Sequence, residues 1–323
     1  LHTDHLEFHY APRPGVRWDM VSAIQAHDAQ LAASGVTSVF DCLRMGSDST
    51  ESFEPGEMRK MADALKNAEQ QGRLRANHFL HLRCEVSSPN VLEDFQSFDQ
   101  SLPVRLVSLM DHAPGQRQFK TLDQYALYYK TKRGMSDEEF EAFTKLRMEQ
   151  SAKFSDRHRK AIAEHCKSQG IAIASHDDAT IEHVQEAVGF GVSLAEFPTS
   201  FEAARASHAS GMAVLMGAPN VIRGKSHSGN IAATDLAKGG VLDALSSDYV
   251  PFSLVHAPFV LSKILERPIH ETIRMVTDRP ARAVGLEDRG RIAIGKRGDL
   301  IRLKDTDSVP IVREVWNAGK RAA

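Results

Sequence analysis

The sequence has few cysteines, no long apolar run and almost no net charge. Its three cysteines, Cys42, Cys84 and Cys166, lie far apart in a chain of 323 residues. This odd number and wide spacing argue against a disulfide framework and favour a reducing compartment. No run approaches the roughly 18 apolar residues of a membrane-spanning helix. The net charge of −2 gives no sign of a nucleic-acid or membrane surface. We therefore expect a cytoplasmic protein that binds neither nucleic acid nor membranes, and leave open what precedes Leu1.

The composition is otherwise that of an ordinary globular protein, with an unusual number of histidines. Hydrophobic residues make up 42% of the chain and charged residues 25%, and there are 15 histidines. A chain of this length and composition can form one large core or two domains. Several histidines directly follow apolar runs, so the ends of the predicted strands are the places to search for a functional site.

One pattern recurs along the chain: an amphipathic helix ends at a glycine, and a short apolar strand follows and ends in a polar residue. The helix predicted over 19–34, for example, stops at Gly35 and precedes a strand over 36–41. Further strands are predicted over 77–85, 104–110, 171–176, 192–196, 213–217 and 241–248. With the opening residues, about eight strands alternate with helices, which predicts an α/β fold of the (β/α)₈ TIM-like barrel type. A doubly wound sheet is disfavoured because no Gly-rich phosphate turn follows the first strand.

A long segment over 113–154 interrupts this alternation. It contains a capping-box helix start at 136–139, and a further helix is predicted over 155–169. An insertion of this length beside a barrel mouth is typical of a lid over the active site. The alternative interpretation is a surface helical hairpin without a catalytic role.

The end of the chain has a different pattern from the barrel. Short strands with turn signals are predicted over 290–295 and 311–316, which indicates a small β-domain. We therefore predict a barrel domain over 1–285 and the C-terminal part of a small β-sandwich domain over 286–323. The N-terminal part of that domain is expected to precede Leu1.

The polar ends of the predicted strands supply candidate metal ligands. In a barrel these ends meet at one rim, where barrel enzymes carry their chemistry. His2 and Asp4 alternate with Thr3, so they point to the same side of a strand. Clustered imidazoles and carboxylates are unfavourable without a cation, and a divalent metal reverses that balance. The expected ligands of one or two ions are His2, Asp4, Glu85, His112, His176, Glu196 and Asp248.

Several roles within this set remain open. The bridging ligand is either Glu85 or His112. Glu196 is either a metal ligand or a carboxylate that supports a ligand. Asp41 and Asp177 are expected to support or cap rather than to bind metal. Six other histidines occupy helical or off-register positions and are expected to be structural, namely His5, His78, His81, His158, His165 and His183.

A stretch rich in glycine, serine and basic residues, 217–230, follows the seventh predicted strand. Such loops bring backbone N–H groups and positive charges close to an anion, and barrels often bind phosphate after strands seven and eight. An ordinary surface loop is the alternative. The expected phosphate contacts here are Arg223, Lys225, Ser226, His227, Ser228 and Asn230. Additional contacts are expected from Arg13, Gln116 and Arg117, after the first and fourth strands.

Together these motifs resemble the amidohydrolase superfamily. The opening His-x-Asp, His176 and Asp248 agree with its metal site, and 277–286 followed by 290–300 agree with its C-terminal region. More narrowly, the chain resembles the PhnM family of diphosphatases, which act in phosphonate breakdown by carbon–phosphorus lyase. The stretches that carry this resemblance are 2–4, 81–85, 108–119, 174–180, 195–199, 216–220, 226–230 and 246–249.

Three positions depart from the broader superfamily pattern. Its members have a second histidine where Asp4 stands, a modified lysine on the fourth strand, and a histidine at the end of the sixth strand. Here the fourth strand ends in His112 and the sixth in Glu196. The number and geometry of the metals therefore do not carry over directly from the superfamily.

The resemblance implies a metal-dependent hydrolase with one or two divalent ions, Zn, Mn or Mg. Its expected substrate is a small molecule, alpha-D-ribose 1-methylphosphonate 5-triphosphate, cleaved to the 5-phosphate and pyrophosphate. Asp248 is expected to act as general base. A homodimer is one option, since dimers are common among such barrels. Two alternatives remain: an amide or cyclic-amide hydrolase, of the deacetylase or dihydroorotase type, and a non-catalytic barrel used as a binding module.

Overall fold

Seven parallel strands form the framework of the molecule, in the order in which they occur along the chain. The computed structural model describes residues 1–46, 53–54, 56–117, 125–126, 130, 134–226 and 229–323. The strands are β1 (Ser38–Met45), β2 (Asn77–Glu85), β3 (Val104–Met110), β4 (Ala172–His176), β5 (Leu194–Glu196), β6 (Ala213–Gly217) and β7 (Ala244–Ser246). Helices between consecutive strands make this a TIM-like α/β fold, as predicted.

The opening residues lie between the two edges of this sheet. Thr3 forms parallel bridges with Asp41 on one side and with Asp248 on the other. The Cys42 amide donates to the Thr3 carbonyl at 3.1 Å, and the Asp248 amide donates to the His2 carbonyl at 2.9 Å. The opening stretch is thus a single bridging residue rather than a regular strand, because helix α1 begins directly afterwards, at His5.

The helices surround the strands. They are α1 (His5–Tyr10), α2 (Met20–Ala33), α3 (Glu57–Gln70), α4 (Val91–Gln96), α5 (Asp137–Gln169), α6 (Ile181–Gly189), α7 (Phe201–Ala209), α8 (Ala218–Arg223), α9 (Ala233–Lys238), α10 (Ser253–Leu265), α11 (Ile269–Thr272), a 3₁₀ turn (Ile273–Met275) and α12 (Asp278–Ala283). Among the described residues, no helix has the length and apolar character needed to cross a bilayer.

A buried cluster inside the sheet explains how the strands position the site. Its members come from six of the strands: Phe40, Leu106, Ala174, Leu194, Leu215 and Ala244. Side chains two positions apart on a strand face the same way. The next inward layer, toward the strand ends, is therefore Cys42, Ser108, His176, Glu196, Gly217 and Ser246. The apolar layer fills the interior, and the polar layer above it forms the mouth.

Several element boundaries match the sequence prediction, and the end of the first strand differs for a clear reason. The strands expected over 77–85, 104–110 and 213–217 coincide with β2, β3 and β6. β1 continues beyond its predicted end at Asp41, because its pairing with β2 extends as far as Met45 and Cys84. Asp41 is therefore a mid-strand residue on the outer face, and the prediction that it ends a strand was wrong.

The insertion and the helix after it are joined. Two separate helices were expected, but α5 runs without a break over 33 residues, from Asp137 to Gln169. Its start has the predicted capping box, in which Ser136 and Glu139 exchange hydrogen bonds. The part of the insertion over 118–124, 127–129 and 131–133 lies outside the described residues, and the lid stays a prediction.

The C-terminal region is a small antiparallel sheet of three strands, β8 (Leu300–Lys304), β9 (Ile311–Asn317) and β10 (Lys320–Arg321). The strand predicted over 290–295 is wrong, because this segment forms turns. Ile292 and Ile294 there are 89% and 106% exposed, so their alternation does not mark a buried face. The strand over 311–316 is confirmed, and the domain boundary at 285/286 stays a prediction.

Candidate active site

Imidazoles and a carboxylate from distant parts of the chain meet at the mouth of the barrel. Glu196, at the end of β5, has one oxygen 3.3 Å from His2 Nδ1 and the other 3.3 Å from His176 Nδ1. The rings of His2 and His176 stack with centroids 5.8 Å apart. One ligand atom from each of these three residues lies within 4.8 Å of the others. All three are buried, so this group forms the floor of the site.

Phe197 packs on this floor. Its ring meets the ring of His2 edge-on at 4.9 Å between centroids and the ring of His176 at 5.3 Å. The residue has a positive φ of 53°, an uncommon conformation for a bulky side chain that often marks functional sites. The aromatic ring restricts the orientation of both imidazoles.

Asp4 joins the group through His2 and is also paired with an arginine. Its Oδ1 lies 3.5 Å from His2 Nε2, and its two oxygens accept hydrogen bonds from Arg83 at 3.1 and 2.9 Å. Burial raises the pKa of Asp4, but Arg83 and His2 outweigh burial and hold that pKa well below its usual range. Asp4 is therefore ionised at neutral pH.

The electrostatic balance at the floor favours ionised side chains. Burial lowers the pKa of His2, but Cys42, Glu196 and Asp4 together raise it well above the ordinary value. Burial raises the pKa of Glu196, whereas the imidazoles around it hold that pKa well below its usual range. A cation bound by His2 must displace its proton, so metal binding and proton release are coupled here.

A second group lies beside the floor, at the ends of β2 and β3. His112 Nδ1 is 2.7 Å from Glu85 Oε2, and Arg147 of helix α5 reaches Glu85 Oε1 at 3.2 Å. Burial raises the pKa of Glu85, but His112 and Arg147 lower it to about 2. His112 and His176 share contact with Asp177, at 3.9 and 3.7 Å, and one ligand atom from each of these three lies within 4.8 Å of the others. Sequence reasoning assigned Asp177 only a supporting role.

Asp248 follows β7 and faces the end of β6. Its amide bonds to His2, and its carboxylate lies against Gly217, where a Cβ atom would be 3.1 Å from Asp248 Oδ2. Asp248 also has a positive φ of 53°. Its side chain therefore lies at the point where the glycine- and serine-rich stretch over 217–230 begins.

The predicted phosphate contacts differ in their exposure to solvent. Arg223 and Lys225 are exposed, and Ser226 and Asn230 are half-buried. His227 and Ser228 lie outside the described residues. Arg13 and Gln116 are exposed, so these side chains are free to reach solvent.

Arg117 is placed differently from expectation. It is buried, and two of its guanidinium nitrogens donate to Asp178 and Glu186. Its guanidinium therefore already holds two carboxylates, and a contact with substrate stays a prediction for this residue.

Sequence reasoning missed His81 and Ser108. The Ser108 hydroxyl donates to Glu196 Oε2 at 2.5 Å and also bonds His81 Nε2. Burial lowers the pKa of His81 to about 3, so its ring is neutral at neutral pH. The signal was available in the alternation of strand β2. His81, Arg83 and Glu85 are two positions apart and therefore point into the mouth together.

Comparison with known proteins identifies this arrangement. The model of the amidohydrolase family matches residues 20–323. The chain belongs to the amidohydrolase family. The matched region begins after His2 and Asp4, so the evidence for these two residues is their place in the fold.

Among amidohydrolases, one relative is similar over nearly the whole chain. The alpha-D-ribose 1-methylphosphonate 5-triphosphate diphosphatase of Escherichia coli (strain K12) is 44% identical over 323 residues, which are 99% of this chain and 85% of the relative. Two solved structures share the fold. An amidohydrolase from an environmental sample of the Sargasso Sea matches 100% of this chain and 77% of its own, with 16% identity and a TM-score of 0.57. An adenosine deaminase from Xanthomonas campestris with bound zinc matches 99% of this chain and 78% of its own, with 14% identity and a TM-score of 0.57.

Proposed function

We propose that this amidohydrolase cleaves the triphosphate of alpha-D-ribose 1-methylphosphonate 5-triphosphate, releasing the 5-phosphate and pyrophosphate. The observation that carries the proposal is the 44% identity to a diphosphatase of that name along 99% of the chain. The geometry supports the proposal, since imidazoles and carboxylates lie at a barrel mouth. The stretch over 217–230, which forms helix α8 as far as Arg223 and carries the basic residues, begins next to Asp248. We also propose a cytoplasmic location, which three free cysteines favour.

The donor set at the mouth suits one or two divalent cations. Imidazole and carboxylate groups together bind zinc and related transition metals, and amidohydrolases generally bind such ions. We assign His2, Asp4, His176 and Glu196 to the floor, with Glu85, His112 and Asp248 around it. A cation held there would lower the pKa of a water and offset phosphate charge.

Asp248 is the proposed general base. Its carboxylate lies at the end of β6 and adjoins the start of the stretch over 217–230. A proton acceptor beside the proposed phosphate contacts would be in reach of an attacking water. We assign charge stabilisation on the phosphoryl oxygens to Arg223 and Lys225, assisted by Ser226, His227, Ser228 and Asn230. Arg13, Gln116 and Arg117 remain candidates for the distal phosphate or the phosphonate.

The direct test is phosphorus NMR of the reaction products of a ribose 5-triphosphate substrate, with metal content measured on the same sample. We expect pyrophosphate and a 5-phosphate. Orthophosphate with a 5-diphosphate would contradict the proposed cleavage position. If the protein leaves the triphosphate intact but hydrolyses N-acyl amino acids, it is an amide hydrolase instead.

The role of Asp248 is tested by Asp248→Asn. Asparagine tolerates the positive φ of 53° at this position, so the fold is expected to persist with an unchanged melting temperature. Because the amide cannot accept the proton, turnover should fall by about 10²–10⁴-fold. Near-normal pyrophosphate release from a folded Asp248→Asn variant would remove this residue from the mechanism.

A further inference from the structure

A second cluster of histidines lies on the outer face of the sheet, between helices α1 and α2. His5 and His9 belong to helix α1, and His27 belongs to helix α2. One ring nitrogen from each lies within 4.8 Å of the other two. The ring centroids are 4.9 Å apart for His5 and His9, and 5.9 and 5.8 Å from these two to His27. None of these residues belongs to the set proposed for the mouth.

Hydrogen bonds define which nitrogen of His27 faces the cluster. His27 is fully buried, and its Nε2 lies 2.7 Å from Asp41 Oδ1. Because a carboxylate accepts, this nitrogen carries the hydrogen, and the neutral ring keeps a lone pair on Nδ1. His27 Nδ1 is buried and has no hydrogen-bond partner among the residues that the structure describes. An unpaired buried acceptor costs about 1–3 kcal/mol and calls for an explanation.

His9 is oriented in the same manner. Its Nε2 lies 3.0 Å from the amide oxygen of Gln30. That oxygen accepts a hydrogen bond, so Nε2 carries the hydrogen and Nδ1 presents a lone pair. His5 Nδ1 is also buried and, in the described ranges, has no hydrogen-bond partner. Within the described part of the chain, the cluster therefore contains two buried ring nitrogens without a hydrogen-bond partner. Two of its three rings, His9 and His27, are held by hydrogen bonds through Nε2.

This pattern is the one that metal-binding histidines show. A ligating histidine typically donates its other ring N–H to a carboxylate or carbonyl oxygen, which sets the tautomer and directs the lone pair to the ion. Asp41 has this relation to His27, and Gln30 has it to His9. Asp41 is itself held through its second oxygen by His78 Nδ1 at 2.7 Å.

We propose that His5, His9 and His27 form a separate zinc site between α1 and α2. Three imidazoles leave a fourth position of a tetrahedral ion for water, and His5 and His9 are only half-buried, so solvent can reach it. Zn–N bonds of about 2.0–2.1 Å place ligand nitrogens about 3.4 Å apart, so the present spacing requires a modest contraction. Bound zinc would join α1, which directly follows the barrel-closing residues, to α2.

The experiment is zinc stoichiometry on the full chain. Wild type and His9→Gln are dialysed against buffered zinc, and bound metal is measured by elemental analysis. We expect His9→Gln to bind one zinc fewer per chain and to lose part of the zinc-dependent rise in melting temperature. His270→Gln, which alters an exposed histidine of α11, is the matched control and should bind as wild type does.

Two further variants distinguish zinc bound by this cluster from metal bound at the mouth of the barrel. His176→Asn removes a ligand there, and comparing it with His176→Asn/His9→Gln should still show a difference of one zinc. Gln30→Ala leaves all three imidazoles in place and should weaken zinc binding at this site by about 10–100-fold. If His9→Gln does not fold, His5→Gln tests the same site, because it removes another of the three proposed ligands. Equal zinc content in wild type and either folded single variant overturns the proposal.

Discussion

At the scale of single residues, Asp41 is a buried carboxylate on the outer face of the sheet that contacts two histidines. It lies 2.7 Å from both His27 and His78, and His78 continues to Asp28 at 3.3 Å. Burial lowers the pKa of His78, but Asp41 and Asp28 raise it to about 9. Burial raises the pKa of Asp41, and the two histidines outweigh burial and lower it. The pair is therefore ionised across the neutral range.

This pair predicts a pH dependence of stability. The raised pKa of His78 contributes stability that is present below its ordinary value of 6.5 and is lost as the pH rises through about 9. Between about pH 7 and about pH 10, the free energy of unfolding should fall by about 2 kcal/mol more in wild type than in His78→Asn. Urea unfolding at both pH values measures this difference. Parallel pH profiles for the two proteins would show that His78 carries no such charge.

Gly217 predicts a second effect at this scale. Its φ is −70°, so the backbone allows alanine, but the new methyl group would lie 3.1 Å from Asp248 Oδ2. Gly217→Ala should displace that carboxylate and lower turnover by about tenfold, which corresponds to about 1.4 kcal/mol, with little change in melting temperature. Gly189→Ala is the matched control, since a Cβ there would meet no atom of the described ranges within 4 Å. Equal turnover in the two variants would mean that the position of Asp248 is unimportant.

At the scale of secondary-structure elements, helix α5 is attached to the sheet by a buried polar contact. Ser151 and Ser155, one helical turn apart, both donate to Asp111 Oδ2, at 2.8 and 2.7 Å. Asp111 follows β3 directly, and Arg159 lies 3.5 Å from the same oxygen. The contact joins α5 to the strand end that precedes His112, so it also affects the site.

The contribution of this attachment can be measured. Ser155→Ala removes one of the two hydroxyl donors to a buried carboxylate, which should lower the free energy of unfolding by about 1–3 kcal/mol. Ser168→Ala changes an exposed serine on the same helix and should stay within about 0.5 kcal/mol of wild type. A similar change in both variants would show that the Asp111 contact does not contribute to stability.

Element prediction failed where tertiary contacts decided the outcome. The sequence of α5 contains a helix start at Ser136 and an apolar stripe near Ile162, but the polar residues between them gave no core-facing pattern. Ser151, Ser155 and Arg147 are buried there because they bind Asp111 and Glu85. In contrast, Ile292 and Ile294 alternate as in a strand, but alternation alone does not supply a neighbouring strand to pair with.

At the scale of the whole molecule, closure of the barrel depends on the opening residues. The Thr3 hydroxyl bonds the Ser247 hydroxyl at 2.6 Å, on the buried side opposite His2 and Asp4. Thr3→Val preserves the shape of the side chain and removes this bond. We expect it to lower the free energy of unfolding by about 1 kcal/mol and to lower turnover, because His2 and Asp4 flank the bridge.

A double-mutant cycle isolates that bond. Ser247→Ala and the double variant Thr3→Val/Ser247→Ala complete the cycle, with unfolding free energies from urea titration. The two residues are in contact, so we expect a coupling of at least about 0.5 kcal/mol. Fully additive losses would show that the bond does not contribute to closure.

The sequence was sufficient to predict the barrel, because the alternation of helices and strands and the polar strand ends are local signals. It also predicted that His2, His176 and Glu196 lie at one mouth. The sequence did not reveal the pairing inside the site, such as Asp4 with Arg83 or Glu85 with Arg147. These pairs depend on strand register and helix placement, which no local pattern specifies. The same limit explains why His5 was expected to be only structural.

The length of α5 has a mechanical consequence. At about 1.5 Å per residue, its 33 residues extend from the catalytic end of the barrel to the opposite end, and the Asp111 contact holds the helix between its two ends. Such a rod behaves as a lever with a pivot. If the end of the helix at Asp137 moves, the end near Gly170 must tilt the other way, so a fluorescent label there would report events at the entrance from a distance.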